Sequence, residues 1–408
     1  MRESVDLAVV GGGPAGLVAA ISAARRGASA VLLERLPRPG KKLLATGGGR
    51  CNLLHEGLSA SAFTATDPGL VSSVLDRFGG AEIRGFFEGL GLRLHTDESG
   101  RVYPVTNQAA SVLKVLELEA ARAGVAVETG FEARLLGDRA GMLTVRAADG
   151  REVGARAVVL AGGGRSYPAL GSDGSGYKLA ASLGHRIVTP VPSAVPLLVK
   201  VRMCHFLQGQ RLKVRIESRI GGRRGQTADG ELLFTQYGLS GTAVLDVSES
   251  LSIAMNREGR EDVSVVVDFA PFMSEEEMAA EFERRLAAGW VPKDLGSGFL
   301  PEKFSHFLPQ LLGEAGYADG GGIGQAAVRR LAALLKAREF RVHGTRGWNE
   351  AEFTSGGVDA REVAHGTLRS KLRSGVYFAG EILDVQGGRG GYNLAWAWAS
   401  GFVAGLAK

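Results

Sequence analysis

Val5-Asp6-Leu7-Ala8-Val9-Val10-Gly11-Gly12-Gly13-Pro14-Ala15-Gly16 opens the chain and decides its fold. A mostly apolar run leads directly into glycines at 11, 13 and 16, and a helical pattern follows. That order is strand, tight turn, helix. Gly11 permits the turn, Gly13 lets the backbone approach a pyrophosphate, and Gly16 lets helix and strand pack closely. Pro14 and Ala15 begin the helix, whose free N–H groups and partial positive charge face the phosphates. A second strand, Ala30–Leu33, ends in Glu34, 23 positions after Gly11. A carboxylate there suits a ribose diol.

A GxGxxG hexapeptide alone is a common turn. Here a second segment supports it. Val376-Tyr377-Phe378-Ala379-Gly380-Glu381 is another apolar strand running into glycine and an acid. A glycine-rich turn, Gly387–Gly391, precedes an apolar helix from about Tyr392. NAD needs only the first βαβ unit and its continuation. FAD carries a ribitol and an isoalloxazine that reach further, and a late Gly-acid strand can hold them. The pair of end motifs therefore points to non-covalent FAD.

The chain has 408 residues and 60 glycines, about twice the usual share, in keeping with many tight turns. Two cysteines, Cys51 and Cys204, allow no disulfide framework. Seven scattered histidines show no metal-ligand spacing. The start of the chain reads as a strand, not a signal peptide. The apolar stretch Gly391–Ala407 is short for a membrane span and contains Asn393 and Ser400. A cytoplasmic protein without a membrane segment is expected. The net charge of +5 is locally concentrated. Lys200, Arg202, Arg211, Lys213, Arg215, Arg219, Arg223 and Arg224 lie in one window with Glu217 as the acid among them. Two readings stay open: a solvated face of edge strands, or a docking surface for RNA.

Helical patterns are expected at about Leu70–Phe78, Ala81–Gly89 and Gln108–Ala123. Val125–Glu128 reads as a strand. Ala133–Leu136, Met142–Ala147 and Glu152–Arg156 read as a small antiparallel meander, and Ala157–Leu160 as a buried strand. This is the layout of a glutathione-reductase-type, Rossmann-like FAD domain in the α/β class. From Val195 to Asp268 the pattern becomes β-rich, with strands expected at Pro196–Val201, Leu212–Glu217, Glu231–Phe234, Thr242–Val247 and Val263–Asp268. Ser274 then caps a helix over Ser274–Ala288, and further helices are expected at Phe304–Leu312 and Gln325–Ala337. The expected organisation is an FAD domain in two parts, 1–192 and 341–408. It encloses a β-rich insertion, 193–272, and a helical one, 273–340.

Lys42-Leu43-Leu44-Ala45-Thr46-Gly47-Gly48-Gly49-Arg50-Cys51-Asn52 resembles the signature of a bacterial family of FAD-dependent oxidoreductases, the BaiN/RdsA or aminoacetone-oxidase-like flavoproteins. Leu233–Gly241 and the span from Tyr377 to Leu394 resemble two further motifs of that family, in the same order and spacing. The resemblance covers essentially the whole chain and implies a discontinuous FAD domain, an inserted β domain and a small helical domain. It also implies one of several activities: amine oxidation, reduction of conjugated double bonds in steroid-like substrates, or reduction of uridine to dihydrouridine in ribosomal RNA. The sequence departs from the family pattern at His55 (commonly Asn or a similar small polar residue), Gln236 (His), Thr242 (Pro), Arg389 (Thr) and Ala395 (Gln).

The candidate cofactor residues are Gly11, Gly13, Pro14, Ala15, Gly16, Glu34, Arg35, Lys42, Gly48, Gly49, Arg50, Cys51 and Asn52. Ala133, Ala161, Gly162, Gly163, Gly380, Glu381, Gly391, Tyr392 and Asn393 complete the set. The C-terminal helix would present its N-terminus to the flavin N1–C2=O region, with Arg389 adding positive charge. Hydride transfer needs a proton donor, for which Cys51, His55, Tyr237 and Tyr392 are candidates, and Tyr167 is placed to cover the flavin. Cys51 also has a plain reading as a packed thiol. Ala161-Gly162-Gly163-Gly164 follows a strand, but Arg165-Ser166-Tyr167-Pro168 stops any immediate helix. A second Rossmann domain for NAD(P)H is therefore not expected. Either NAD(P)H docks transiently over the flavin, or electrons enter from the substrate and leave to oxygen. The expected reaction is reduction of a C=C or similar unsaturated bond. RNA modification and amine oxidation are the alternatives.

Overall fold

The computed structural model describes residues 4–139, 141–316 and 323–407. The chain divides into two compact units, residues 1–190 with 353–408, and residues 191–352.

The first unit is built on a sheet whose parallel part runs, in spatial order, Ala126–Glu128, Ala30–Leu33, Val5–Val10, the end of Glu152–Leu160, and Val376–Phe378. Ala30–Leu33 and Leu7–Val10 are buried throughout, as strands covered on both faces must be. The strand Glu152–Leu160 serves two neighbourhoods. Its first half pairs antiparallel with Met142–Ala147, which in turn pairs with Ala133–Arg139. Its second half pairs parallel with Val5–Val10. The sequence reading broke this strand at Arg156, where alternating burial gives way to full burial. The backbone continues across that change.

After Val10, Gly11 adopts φ +108°, and a Cβ there would meet the Ala161 carbonyl oxygen at 2.5 Å. The helix Pro14–Ala24 follows at once, and a Cβ on Gly16 would run into the Gly11 carbonyl oxygen. Helix and strand thus close at backbone distance. The C-terminal helix Tyr392–Gly405 lies on Pro14–Ala24, with Gly401 and Gly405 against the carbonyls of Ala15 and Ala19. This explains its apolar character: it is enclosed by protein. No helix among the described residues is long and apolar enough to cross a membrane.

The second unit is an antiparallel sheet in the order Arg338–Arg341, Val263–Asp268, Arg211–Ile220, Arg223–Thr235, Gly238–Ser240, Leu197–Leu198, Gly344–Thr345. Two expected strands are corrected here. Residues 242–247 are helical, within Thr242–Asn256, and only Leu197–Leu198 of the expected Pro196–Val201 strand pairs in the sheet. Ala243, Val244, Val247, Leu251 and Ala254 are buried at helical spacing, and six residues were too short a window to show it. The helix Glu275–Ala287 begins with a capping box. Ser274 Oγ accepts from the Glu277 N–H at 3.0 Å, and Glu277 Oε2 accepts from the Ser274 N–H at 2.7 Å. Phe269 just after Val263–Asp268, Phe340 of the strand Arg338–Arg341, and Phe282 and Phe304 of the helical stretch share one core.

Candidate functional site

The site is assembled within the first unit from both ends of the chain. Gly380, at φ +77°, lies against Ala15, and a Cβ on it would sit 2.8 Å from the Ala15 Cβ. Ser400 Oγ accepts from the Gly380 N–H at 2.9 Å, and the Trp396 indole donates to the Gly380 carbonyl at 3.2 Å. The C-terminal helix thereby orients the Gly380–Glu381 turn beside the first helix. A second indole, Trp398, donates to the Leu53 carbonyl at 3.0 Å and ties the same helix to the end of the 42–52 loop.

No side chain caps the helix Pro14–Ala24 at Gly13, and its first turn holds no carboxylate. The helix Tyr392–Gly405, with Gly391 as N-cap, is likewise without a side-chain cap. Both helices leave N–H groups and a partial positive charge for a ligand. Gly13 has open space where its Cβ would be. Glu34 is buried at the end of Ala30–Leu33, where its Oε2 accepts from the Gly12 N–H and its Oε1 from the Leu36 N–H, both at 2.7 Å. The carboxylate thus sits under the glycine turn. Arg35 pairs with Asp173 at 2.6 Å. Ala133 begins the first meander strand and is buried. Ala161 donates its N–H to the Val10 carbonyl, and Gly162 and Gly163 continue past the end of that strand.

The loop after Lys42 is a kinked 3-10 turn, Leu43–Gly49, in which Gly48 and Gly49 are left-handed. Arg50 lies over the Tyr103 ring at 4.9 Å. Cys51 takes φ +60°, a strained conformation for a side chain of its kind. Its N–H donates to the Thr46 carbonyl, and burial pushes the thiol up to about 12. A thiol in that state stays protonated. Asn52 Oδ1 is buried without a hydrogen-bond partner, and a Cβ on Gly391 would sit 2.8 Å from it. An orphan acceptor at the start of a helix is the kind of group that a bound N–H would satisfy.

Lys42 and Glu381 meet here. Lys42 Nζ lies 2.9 Å from Glu381 Oε2 and donates to Ser166 Oγ at 2.6 Å. Glu381 Oε1 accepts from the Thr354 N–H at 2.8 Å and from Ser166 Oγ at 3.3 Å. Sequence reasoning did not single out Ser166 or Thr354 as site residues. Ser166 lies two residues after the glycine run Gly162–Gly164, which was a usable signal, whereas Thr354 carried none.

Among the remaining candidates, Tyr392 stacks on His55, with ring centroids 4.8 Å apart. His55 Nδ1 accepts from the Gly57 N–H at 3.0 Å. The Asn393 amide clamps the glycine turn, accepting from the Gly387 N–H and donating to the Gly387 carbonyl. Arg389 is half-buried in the turn before the helix. Tyr167 is left-handed at φ +54°. Tyr237 belongs to the second unit, where Arg346 lies over its ring at 4.7 Å.

A family model described as the HI0933-like protein Rossmann domain matches residues 5–407. A 3-dehydro-bile acid delta(4,6)-reductase of Clostridium scindens is 37% identical over 98% of each chain. A ribosomal RNA dihydrouridine synthase of Haemophilus influenzae is 28% identical over 100% of this chain and 99% of that one. Among solved structures, the open form of a flavocytochrome c3 fumarate reductase matches 99% of this chain and 78% of that chain. It has a TM-score of 0.50 at 16% identity, a likeness of fold. Glycine turn and Gly-acid segment thus lie at one sheet end, with the orphan Asn52 against Gly391, in a chain matched over residues 5–407, and the protein is an oxidoreductase of the HI0933-like Rossmann family.

Proposed function

We propose that the protein is an FAD-dependent reductase of a conjugated C=C bond. The reaction class rests on one observation, the 37% identity that runs the length of the chain to a bile acid delta(4,6)-reductase. The cofactor is supported by the site itself. The uncapped helix at Gly13 suits the pyrophosphate, and Glu34 suits the adenosine ribose. Asn52 Oδ1 offers an acceptor to an imide N–H, and the uncapped helix at Gly391 offers N–H donors to a flavin carbonyl. When bound, FAD supplies hydride transfer, which no side chain of the protein can perform. The residues bind and orient it. Glu34 fixes the glycine turn through the Gly12 N–H, while Trp396 and Ser400 fix Gly380. Cys51 fills space in the loop and keeps its proton.

The test is direct. Purified protein is expected to be yellow and to release FAD with an unmodified spectrum on denaturation. The dithionite-reduced protein, kept anaerobic, is expected to return to the oxidised spectrum on addition of a steroid with a conjugated 3-oxo-4-ene system, and the product gains two hydrogens by mass. Reoxidation by uridine-containing ribosomal RNA instead would favour the reaction named for the Haemophilus influenzae relative. Reduction by an amine, with peroxide formed in air, would favour an oxidase.

A further inference from the structure

We infer that Lys42 and Glu381 are a positioning pair: a neutral clip that joins the two end segments of the cofactor cleft and adds no net charge to it. This rests on the FAD reading above. The two residues are 339 positions apart in the chain and 2.9 Å apart in space. Both side chains are about one-fifth exposed, at 23% and 22%, so water screens their attraction less than it screens a surface pair. The late Gly-acid segment, Gly380–Glu381, was expected to hold the ribitol. The structure gives both oxygens of Glu381 to the protein: Oε2 to Lys42, Oε1 to the Thr354 N–H and Ser166. Ser166 Oγ closes the ring, since it accepts from Lys42 and donates to Glu381. One carboxylate thus gathers the loop after the first βαβ unit, the turn after the fourth parallel strand and the start of the returning chain.

The pairing has an electrostatic consequence. Removing Glu381 alone leaves the Lys42 ammonium uncompensated in the cleft. Removing Lys42 alone leaves the Glu381 carboxylate. A positive charge favours an anionic reduced flavin and a negative charge disfavours it. The two single variants therefore push the flavin potential in opposite directions. A residue with only a role in folding has no reason to do this.

The experiment titrates wild-type, K42M, E381Q and K42M/E381Q apoproteins with FAD, and measures the midpoint potential of each holoprotein. Each single variant is expected to weaken FAD binding about tenfold. The double variant is expected to bind no worse than the weaker single. The potential is expected to rise in E381Q, to fall in K42M and to return near wild type in the double. Additive losses of affinity, or potentials that move the same way in both singles, overturn the clip. Should a neutral variant fail to fold, K42E and the swapped pair K42E/E381K replace it. Recovery of FAD binding in the swap supports the clip, and no recovery overturns it. Wild-type protein that takes up no FAD overturns the cofactor reading itself. Wild-type protein that binds FAD, with additive variants, overturns the clip alone.

Discussion

Glu34 shows how much one side chain carries at this site. Its carboxylate supports the glycine turn from beneath through the Gly12 N–H and holds the next loop through the Leu36 N–H. Glu34→Ala removes both acceptors and the contact proposed for the ribose. FAD binding is expected to weaken by about 1.5–3 kcal/mol, the range for hydrogen bonds to a charged group. Isothermal titration of the apoprotein checks it, and Glu34→Gln, which keeps one acceptor oxygen, should lose less. An unchanged dissociation constant in Glu34→Ala would remove Glu34 from the cofactor site. Glu34 was legible in the sequence because its spacing from Gly11 reflects one repeating unit of chain. The partners of Glu381 were not. Lys42, Ser166 and Thr354 come from three separate segments, and no local pattern shows that they converge on one carboxylate.

At the scale of elements, strands buried on both faces were legible, because their apolar runs are continuous and bounded by turns. Thr242–Val247, the start of the helix Thr242–Asn256, was expected as a strand because Thr242, Val244 and Val247 are β-branched. The charged hairpin, for which two readings stayed open, bears on this scale too. A linear window from Lys200 to Arg224 misses what the second strand brings across. In the folded hairpin Lys213 is in register with Glu231 and Arg215 with Asp229. Arg211 pairs with Glu231 at 2.7 Å, Arg215 with Asp229 at 2.9 Å, and Arg219 and Arg224 with Glu217. Much of the positive charge is matched within the sheet, so this face has a weak claim on a polyanion. Reversal of Arg211, Lys213 and Arg215 to Glu is expected to leave affinity for structured RNA at the level of a generic polyanion, and FAD content intact. A salt-dependent loss of RNA affinity confined to this variant would restore the docking reading.

At the scale of the whole molecule, the first unit must be closed by chain that returns after the insertion. His185, just before it, is buried between two residues that come after it. Its Nδ1 lies 3.1 Å from Glu362 and its Nε2 lies 2.7 Å from Ser370 Oγ. Burial lowers its pKa below the usual 6.5, against the opposing pull of Glu362. The unfolded chain therefore binds a proton here at a pH where the folded one does not. Stability is complete above about pH 6.5 and falls as the pH drops below that value. Wild-type Tm is expected to fall more between pH 7 and 5.5 than that of His185→Gln, and equal slopes would count against this account. Topology also limits the path of electrons. The glycine turn at Gly11–Gly16 serves the one βαβ fingerprint of the first unit, and the paired strands of the second unit are antiparallel, so neither offers a second Rossmann site among the described residues. If a nicotinamide is the donor, the scheme expected from one cofactor fingerprint is that donor and unsaturated acceptor take turns at the flavin. NADH or NADPH is expected to bleach the bound flavin anaerobically before any acceptor is added. Steady-state plots at several fixed acceptor concentrations should give parallel double-reciprocal lines, with each substrate competing against the other at high concentration. Intersecting lines would require a complex that holds both at once, and no bleaching by either nucleotide would place the electron source in an organic substrate instead.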